Sequence, residues 1–417
     1  MLDQINEYYG EIGFSENEIK GFCILKKNKD NKISLTTNLI NSANNSKVDI
    51  IFGVFTGLGL VTFINNAIVS LETGMIQSVM YEPEYTLIGD HFISNPKEFR
   101  INKISIVNAD LRKWIKTDLF DRFTNKNSIS FNNEINNSFI IDDYLKIFVK
   151  TTTSIKSLIG DYSEQLLSKA SIDFEYIDDN KSILESIELY DKFQKFLLFF
   201  HGSTKRFESF KLTHVNCGKQ FELIYNDNFN RDTTYSLLNL NYQLLKDELT
   251  EILKKWFLDG DLLICVDRIL TNLISSRLSY SQRFVNSYIA LECYISRFNE
   301  KEKTIDKFLK KNKLILSQIT GMSDIEVNEH ISLLIRTRKY YVHDDIKENK
   351  HFQGINLLYE SSMLEYLVAI FLLKKLGVSK ELVDKIIKKA NCNYTEHRNI
   401  NLALSDNTLK DIKLPPI

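Results

Sequence analysis

The sequence lacks a surplus of charge of either sign. Lys+Arg total 53 and Asp+Glu total 54 in 417 residues, so the chain as a whole is not drawn to nucleic acid. Any RNA binding must come from local patches. Cysteine is sparse too. The five cysteines (Cys23, Cys217, Cys265, Cys293, Cys392) are scattered and form no Cys-x-x-Cys pair. This fits free thiols in a reducing cytoplasm, the expected location. No basic stretch followed by an apolar one opens the chain, so no signal peptide is read. The longest apolar runs, such as 54–61 and 367–373, are too short to span a bilayer, and no membrane is expected as a partner.

Several chemical signatures are also missing. There is no Ser-His-Asp order and no Gly-x-Ser-x-Gly elbow. Thr56-Gly57-Leu58-Gly59 precedes neither Gly-Lys-Ser/Thr nor a helix, so it reads as turn punctuation between two apolar runs. His214-Val215-Asn216-Cys217 has a metal-like spacing, but no second ligand pair follows. His91, in Gly89-Asp90-His91, reads as a loop histidine. No metal and no cofactor are expected.

What the chain does have is apolar matter. Its 43% hydrophobic and 12% aromatic residues suffice for two or three cored domains. The fold class expected is α+β, a β-rich N-terminal domain over 1–230 followed by an all-α bundle over 236–390 and a loosely ordered tail over 391–417. Strand patterns fall at 21–25 and 33–36, across the polar turn Lys29-Asp30-Asn31. Others fall at 50–63, 85–89, 101–107, 144–153, 172–177, 207–215 and 221–225. Residues 121–139 are rich in Asn and Ser and read as a long turn or hairpin tip. A helix over 182–200 interrupts the strands, with Ile183, Ile187, Phe193 and Leu197 inward. After the polar stretch at 226–235 the pattern is helical: 240–256, 262–276, 281–298, a basic helix at 306–317, then 323–343, 356–376 and 380–390. Gly377 is placed to stop the helix before it.

One run stands out, Arg336-Thr337-Arg338-Lys339-Tyr340-Tyr341-Val342-His343-Asp344-Asp345. Its helix starts at a capping box, with Ser323 as N-cap and Glu326 reaching back. Ile331, Leu334, Ile335, Tyr341 and Val342 make one apolar face, and Arg338 falls in the middle of it. A buried arginine costs several kcal/mol unless paired. Glu292, at the margin of the 281–298 stripe (Phe284, Tyr288, Leu291, Ile295, Phe298), can supply the partner. Arg336 points away and reads as solvated. His343 lies about 140° round the helix from Arg338. The two can face one phosphate only if the helix bends or ends near His343, or if a second chain completes the site. Asp344-Asp345 marks the expected exit.

The stretch Arg338-Lys339-Tyr340-Tyr341-Val342-His343 resembles the Arg-x4–6-His motif of HEPN ribonucleases, four-helix domains that usually act as dimers. The whole chain resembles the ApeA family of bacterial anti-phage proteins. There a Gly-rich apolar strand pair, a Tyr-x-Leu-x-Gly strand (here Tyr85 to Gly89) and a strand leading to Leu111-x-x-Trp114 precede a C-terminal HEPN domain. The position after the arginine is often Asn, Asp or His in HEPN motifs and is Lys339 here.

The resemblance implies metal-independent cutting of RNA by its own 2′-hydroxyl, leaving a 2′,3′-cyclic phosphate. Arg338 and His343 are the catalytic residues it implies, with Lys339 and Glu292 beside them. Tyr340 and Tyr341 are candidates for stacking on bases, and Lys310 and Lys311 for tracking the backbone. The partners implied are RNA, with tRNA or another structured host RNA as the candidate substrate, a second copy of the chain, and a phage-derived trigger at the N-terminal domain. On the residues alone a plainer reading stands beside this one. Arg338 is then a paired structural arginine, His343 a helix C-terminal histidine, and the bundle a nucleotide- or protein-binding module.

Overall fold

A computed structural model of the chain describes residues 6–28, 32–40, 47–72, 77–115, 135–158, 163–178, 180–203, 207–225, 237–275, 277–299, 304–343 and 350–405. These form two compact units, one of residues 1–194 and 204–232, the other of 195–203 and 233–417.

The first unit begins with six antiparallel strands: β1 (Asn6–Gly13), β2 (Gly21–Lys27), β3 (Ile33–Thr37), β4 (Lys47–Phe55), β5 (Gly59–Glu72) and β6 (Ser78–Gly89). They run in the order β3-β2-β1-β4-β5-β6, and β3 also pairs with β6 through Leu35↔Tyr81, Thr36↔Met80 and Thr37↔Val79. The sheet therefore closes on itself as a barrel, which leaves these strands no open edge. The period of two is visible in β3, where Ile33, Leu35 and Thr37 are buried and Ser34 and Thr36 are not. Ile12, Cys23, Leu25, Leu35, Ile51, Phe63 and Tyr81 belong to the barrel core. The turn from β4 to β5 needs its glycines, since Gly57 and Gly59 both sit at φ +83°.

β6 is long enough to serve twice. Beyond its pairing with β3, Tyr85–Ile88 pairs with β12. That begins a second antiparallel stretch built from β7 (Ile101–Asn108), β8 (Asn136–Ile140), β9 (Leu145–Leu158), β10 (Ser163–Tyr176), β11 (Phe207–His214) and β12 (Gln220–Tyr225), in the order β12-β11-β7-β10-β9-β8. Helix α1 (Ala109–Ile115) buries Leu111 and Trp114. The Asn-rich stretch expected to be one long turn ends inside β8, because Phe139 is needed in the core. Residues 116–134, the turn residues 29–31, and the boundary stretch 226–235 lie outside the described residues.

Helix α2 (Ile183–His201) buries Ile183, Ile187, Phe193 and Leu197, as its spacing requires. Here the expected domain limits need correction. Residues 195–203 belong with the helical unit, because Phe196, Phe199 and Phe200 gather round the fully buried Trp256.

The helical unit continues with α3 (Tyr242–Leu245), α4 (Leu249–Leu258), α5 (Gly260–Ile274), α6 (Tyr280–Phe298), α7 (Ile305–Lys311), α8 (Lys313–Thr320), α9 (Asp324–His343), α10 (Asn356–Leu376) and α11 (Lys380–Ser405). Three expectations fail. The single helix at 240–256 is two, since the Glu248 N–H turns back to Leu245 O and its carboxylate caps Ser379 N–H at 2.9 Å. The basic helix at 306–317 breaks at Asn312, whose φ −101° and ψ 20° leave the helical region. The tail expected to be loose from 391 onward is helix as far as Ser405. Its asparagines are used as donors: Asn391 to Ile319 O at 3.1 Å and Asn393 to Tyr366 Oη at 2.7 Å.

α10 is the centre of this unit and is apolar on nearly every side, as a core helix must be. It is the one described helix long and apolar enough to cross a membrane, and 78% of that stretch is buried inside the fold. Gly377 ends it at φ +87°.

Candidate functional site

Two helices present the site, and each is started by its own sequence. α6 opens with a reciprocal capping box between Ser279 and Gln282. α9 opens where the Glu326 carboxylate accepts both the N–H and the hydroxyl of Ser323, each at 2.8 Å. Ile331 and Leu334 are buried as expected, Ile335 and Tyr341 are half-buried, and Val342 faces solvent near the helix end. Arg336 is not simply solvated. It is half-buried and its Nε donates to Ser332 O of its own helix.

Arg338 leans from α9 onto α6. Its Nη2 lies 3.2 Å from Glu292 Oε1, and its guanidinium carbon sits 5.9 Å from the centre of the Tyr288 ring. Its Nη1 lies 2.6 Å from His343 Nε2. The separation of about 140° on an ideal helix does not keep the two side chains apart. A helical Cβ tilts toward the N-terminus and brings the His343 ring back, while the long arginine reaches forward. Arginine can only donate, so in this contact Nε2 is the accepting nitrogen. Arg338 Nε–H is buried with no hydrogen-bond partner among the described residues, an unused donor beside two used ones. Its side chain is 25% exposed and that of Glu292 is 37%, so solvent reaches this pair.

Tyr288, four residues before Glu292, was legible only as core. It is part of the site: burial first, and the Glu292 charge second, push its phenol pKa up, so it stays a neutral ring under the arginine. Thr337, completely buried, donates to Leu333 O at 2.7 Å and accepts Phe352 N–H at 3.0 Å. It ties the chain returning after the motif to the motif helix. Eight residues before Arg338, His330 Nε2 approaches Glu360 Oε2 of α10 to 2.9 Å, off the angle of a good hydrogen bond, and Tyr394 of α11 donates to the same carboxylate at 2.9 Å. A histidine on the inward face of the motif helix is the signal that points to this group.

The remaining predicted residues are dispersed. Lys339 is exposed and has no hydrogen-bond or ion-pair partner among the described residues. Tyr340 already has a ring on it: His351 stacks there at 3.7 Å between centroids and 15° between planes. Tyr341 is half-buried with its hydroxyl 3.4 Å from Phe352 O. Lys310 and Lys311 are exposed on α7, with Lys310 held by Asp306 at 2.9 Å. Lys301, Lys303, Asp344 and Asp345 lie outside the described residues.

The setting of α6 is fixed from behind. Glu365 of α10 is fully buried and takes Arg283 in a two-pronged bond, Nε to Oε1 at 2.9 Å and Nη2 to Oε2 at 2.7 Å. Asn272 of α5 and Ser287 of α6 donate to the same Oε1. This network sets the register of α5, α6 and α10, and Glu292 stands nine residues on from Arg283.

The family model described as ApeA N-terminal domain 1 matches residues 7–256, more than half of the chain. The model described as Apea-like HEPN matches residues 285–382, a span that holds Tyr288, Glu292, Arg338 and His343. No curated protein and no solved structure matches.

Proposed function

The chain belongs to the ApeA family and carries that family's HEPN domain, and from this premise we propose that it is an anti-phage ribonuclease cutting RNA at Arg338 and His343. The family itself points to anti-phage defence, and HEPN domains are generally ribonucleases that act as dimers on RNA. The observation that carries the residue assignment is the 2.6 Å contact between Arg338 Nη1 and His343 Nε2, beside the Glu292 carboxylate.

In this reading Arg338 is shared among three partners. Before RNA binds, its guanidinium is held by Glu292 and by the lone pair of His343 Nε2. A phosphate is a stronger partner for the planar fork, and Nε–H is free to join. When the phosphate takes Nη1, His343 Nε2 is released. Nε2 then accepts the proton of the ribose 2′-hydroxyl. The 2′-oxygen attacks phosphorus, the bond to the 5′-oxygen breaks, and that oxygen takes a proton from the second histidine of a paired site, which enters the step as an imidazolium and leaves it neutral. The products are a 2′,3′-cyclic phosphate and a 5′-hydroxyl, and the balance needs no other reactant. Arg338 stabilises the charge that gathers on the phosphoryl oxygens. Two copies pairing their motif helices supply one base and one acid, so assembly is a point of control. Lys339, Lys310 and Lys311 contact the RNA backbone, and Tyr341 offers a ring face to a base, as does Tyr340 when His351 gives way to one. The β-rich unit receives the phage-derived trigger, and structured host RNA such as tRNA is the substrate class.

The test in cells is direct. Cells carrying the wild-type chain resist phage infection and cells carrying Arg338→Ala do not, at equal protein level. Resistance retained by Arg338→Ala contradicts the proposal.

A further inference from the structure

Cys265 on α5 and Cys293 on α6 face each other, with the Cys265 thiol donating to Cys293 Sγ across 3.6 Å. Both are free. Their surroundings differ. Cys265 is fully buried and burial pushes its thiol pKa up, so it keeps its proton. Cys293 is half-buried and open to small solutes. Arg297, one turn on in α6, is bridged to Asp261 of α5. Cys293 is also the residue after Glu292, which holds Arg338.

We propose that Cys265 and Cys293 are a redox-modification site, a pair of thiols that a peroxide joins into a disulfide linking α5 to α6 beside Glu292. Cys293 Sγ attacks one peroxide oxygen. The O–O bond breaks, an S–O bond forms, and one water leaves, which gives a sulfenic acid. Cys265 Sγ, already in contact, attacks that sulfur, the S–O bond breaks and a second water leaves. Two thiols are oxidised and one hydrogen peroxide is reduced to two waters. Closing the sulfurs to a bonding distance of about 2 Å draws Cys293 toward α5. Glu292 moves with it, away from the reach of Arg338. The effect on cutting rests on the nuclease reading; the crosslink does not.

The experiment treats the full chain with hydrogen peroxide, quenches with acid, alkylates in denaturant and reads peptides by mass spectrometry. The expected result is a Cys265–Cys293 peptide pair two hydrogens lighter than the sum, a fall from five alkylated cysteines to three, and full recovery with dithiothreitol. In Cys265→Ser, Cys293 instead stays as a sulfenic acid that dimedone captures. Peroxide-treated protein with Cys265 still alkylated, or with Cys293 carried to the sulfinic acid and no crosslink, overturns the proposal. The oxidised wild type is expected to lose RNA cutting at least tenfold and to regain it on reduction, while Cys265→Ser/Cys293→Ser is indifferent to peroxide. Reduced wild type that never cuts RNA counts against the nuclease reading and leaves the mass spectrum to judge the crosslink. An oxidised, crosslinked wild type that cuts at full rate overturns the regulatory part.

Discussion

Arg338 and His343 touch, Nη1 to Nε2 at 2.6 Å, across five residues of one helix. Glu292 and Tyr288 hold the guanidinium from the side. In the proposed reaction the contact places a phosphate ligand and a general base within one reach. It also has each of them occupying the other until substrate comes between.

That arrangement separates catalysis from stability at Arg338. The pair with Glu292 is part-exposed, so it is worth no more than about 1 kcal/mol. Arg338→Ala is therefore expected to leave the thermal unfolding midpoint nearly unchanged while cutting of RNA falls about 10²- to 10³-fold. Urea melts and cleavage rates on the same preparation check this. A large loss of stability at normal cutting per folded molecule is the result the plainer, structural reading requires.

In the proposed reaction Glu292 positions the arginine and competes with the phosphate for it. Glu292→Gln keeps the shape and removes the charge. The expectation is a KM for RNA that is unchanged or lower, with kcat down about tenfold as the guanidinium loses its fixed direction. Steady-state cleavage of a short RNA distinguishes this from a simple binding defect, which raises KM alone.

Glu365 tests what holds α6 in place. It is fully buried and carries Arg283, Asn272 and Ser287. Glu365→Ala leaves a buried cation and two donors without their acceptor, at a cost of about 3–5 kcal/mol. Denaturant unfolding of the bundle reads the loss directly. Tyr9→Ser, an exposed ring on β1, is the control and is expected to shift little.

The β-rich unit has its own pH-dependent element. His214 stacks on Phe99 and faces Cys217, and burial, then the nearby His91, hold its pKa below the ordinary value. The unfolded chain, with a histidine pKa of about 6.5, takes up that proton first as pH falls. Stability is therefore full above that value and declines as pH drops through it toward the folded pKa. His214→Asn is expected to flatten the fall in melting temperature between about pH 7 and pH 5. An unchanged slope contradicts the assignment.

Much of this was legible in the residues. Alternation gave the strands, and Ser323 with Glu326 marked the start of α9. Arg338 among Ile331 and Leu334 demanded a partner, which Glu292 supplies. Barrel closure was not legible, since nothing local says that Leu35 meets Tyr81, a pairing 46 positions apart in the chain. Nor was Tyr288, because an aromatic on an apolar stripe has the same pattern whether or not an arginine lies over it. The helix break at 246–248 is not legible locally, because Glu248 is engaged by Ser379, far along the sequence. Tyr340 reads as a candidate for stacking on bases, and that His351 stacks on it was not legible.

The central claim is that His343 and Arg338 cut RNA through its own 2′-hydroxyl. The most direct measurement is incubation of total bacterial RNA, in EDTA, with wild type and with His343→Ala, alone and with lysate of phage-infected cells, followed by analysis of the new ends. The account predicts fragments with 2′,3′-cyclic phosphate and 5′-hydroxyl ends from wild type, and a rate lower by about 10²- to 10⁴-fold from His343→Ala. Equal cutting by both proteins, cutting that leaves 5′-phosphates, or no cutting by wild type even with infected lysate would contradict it.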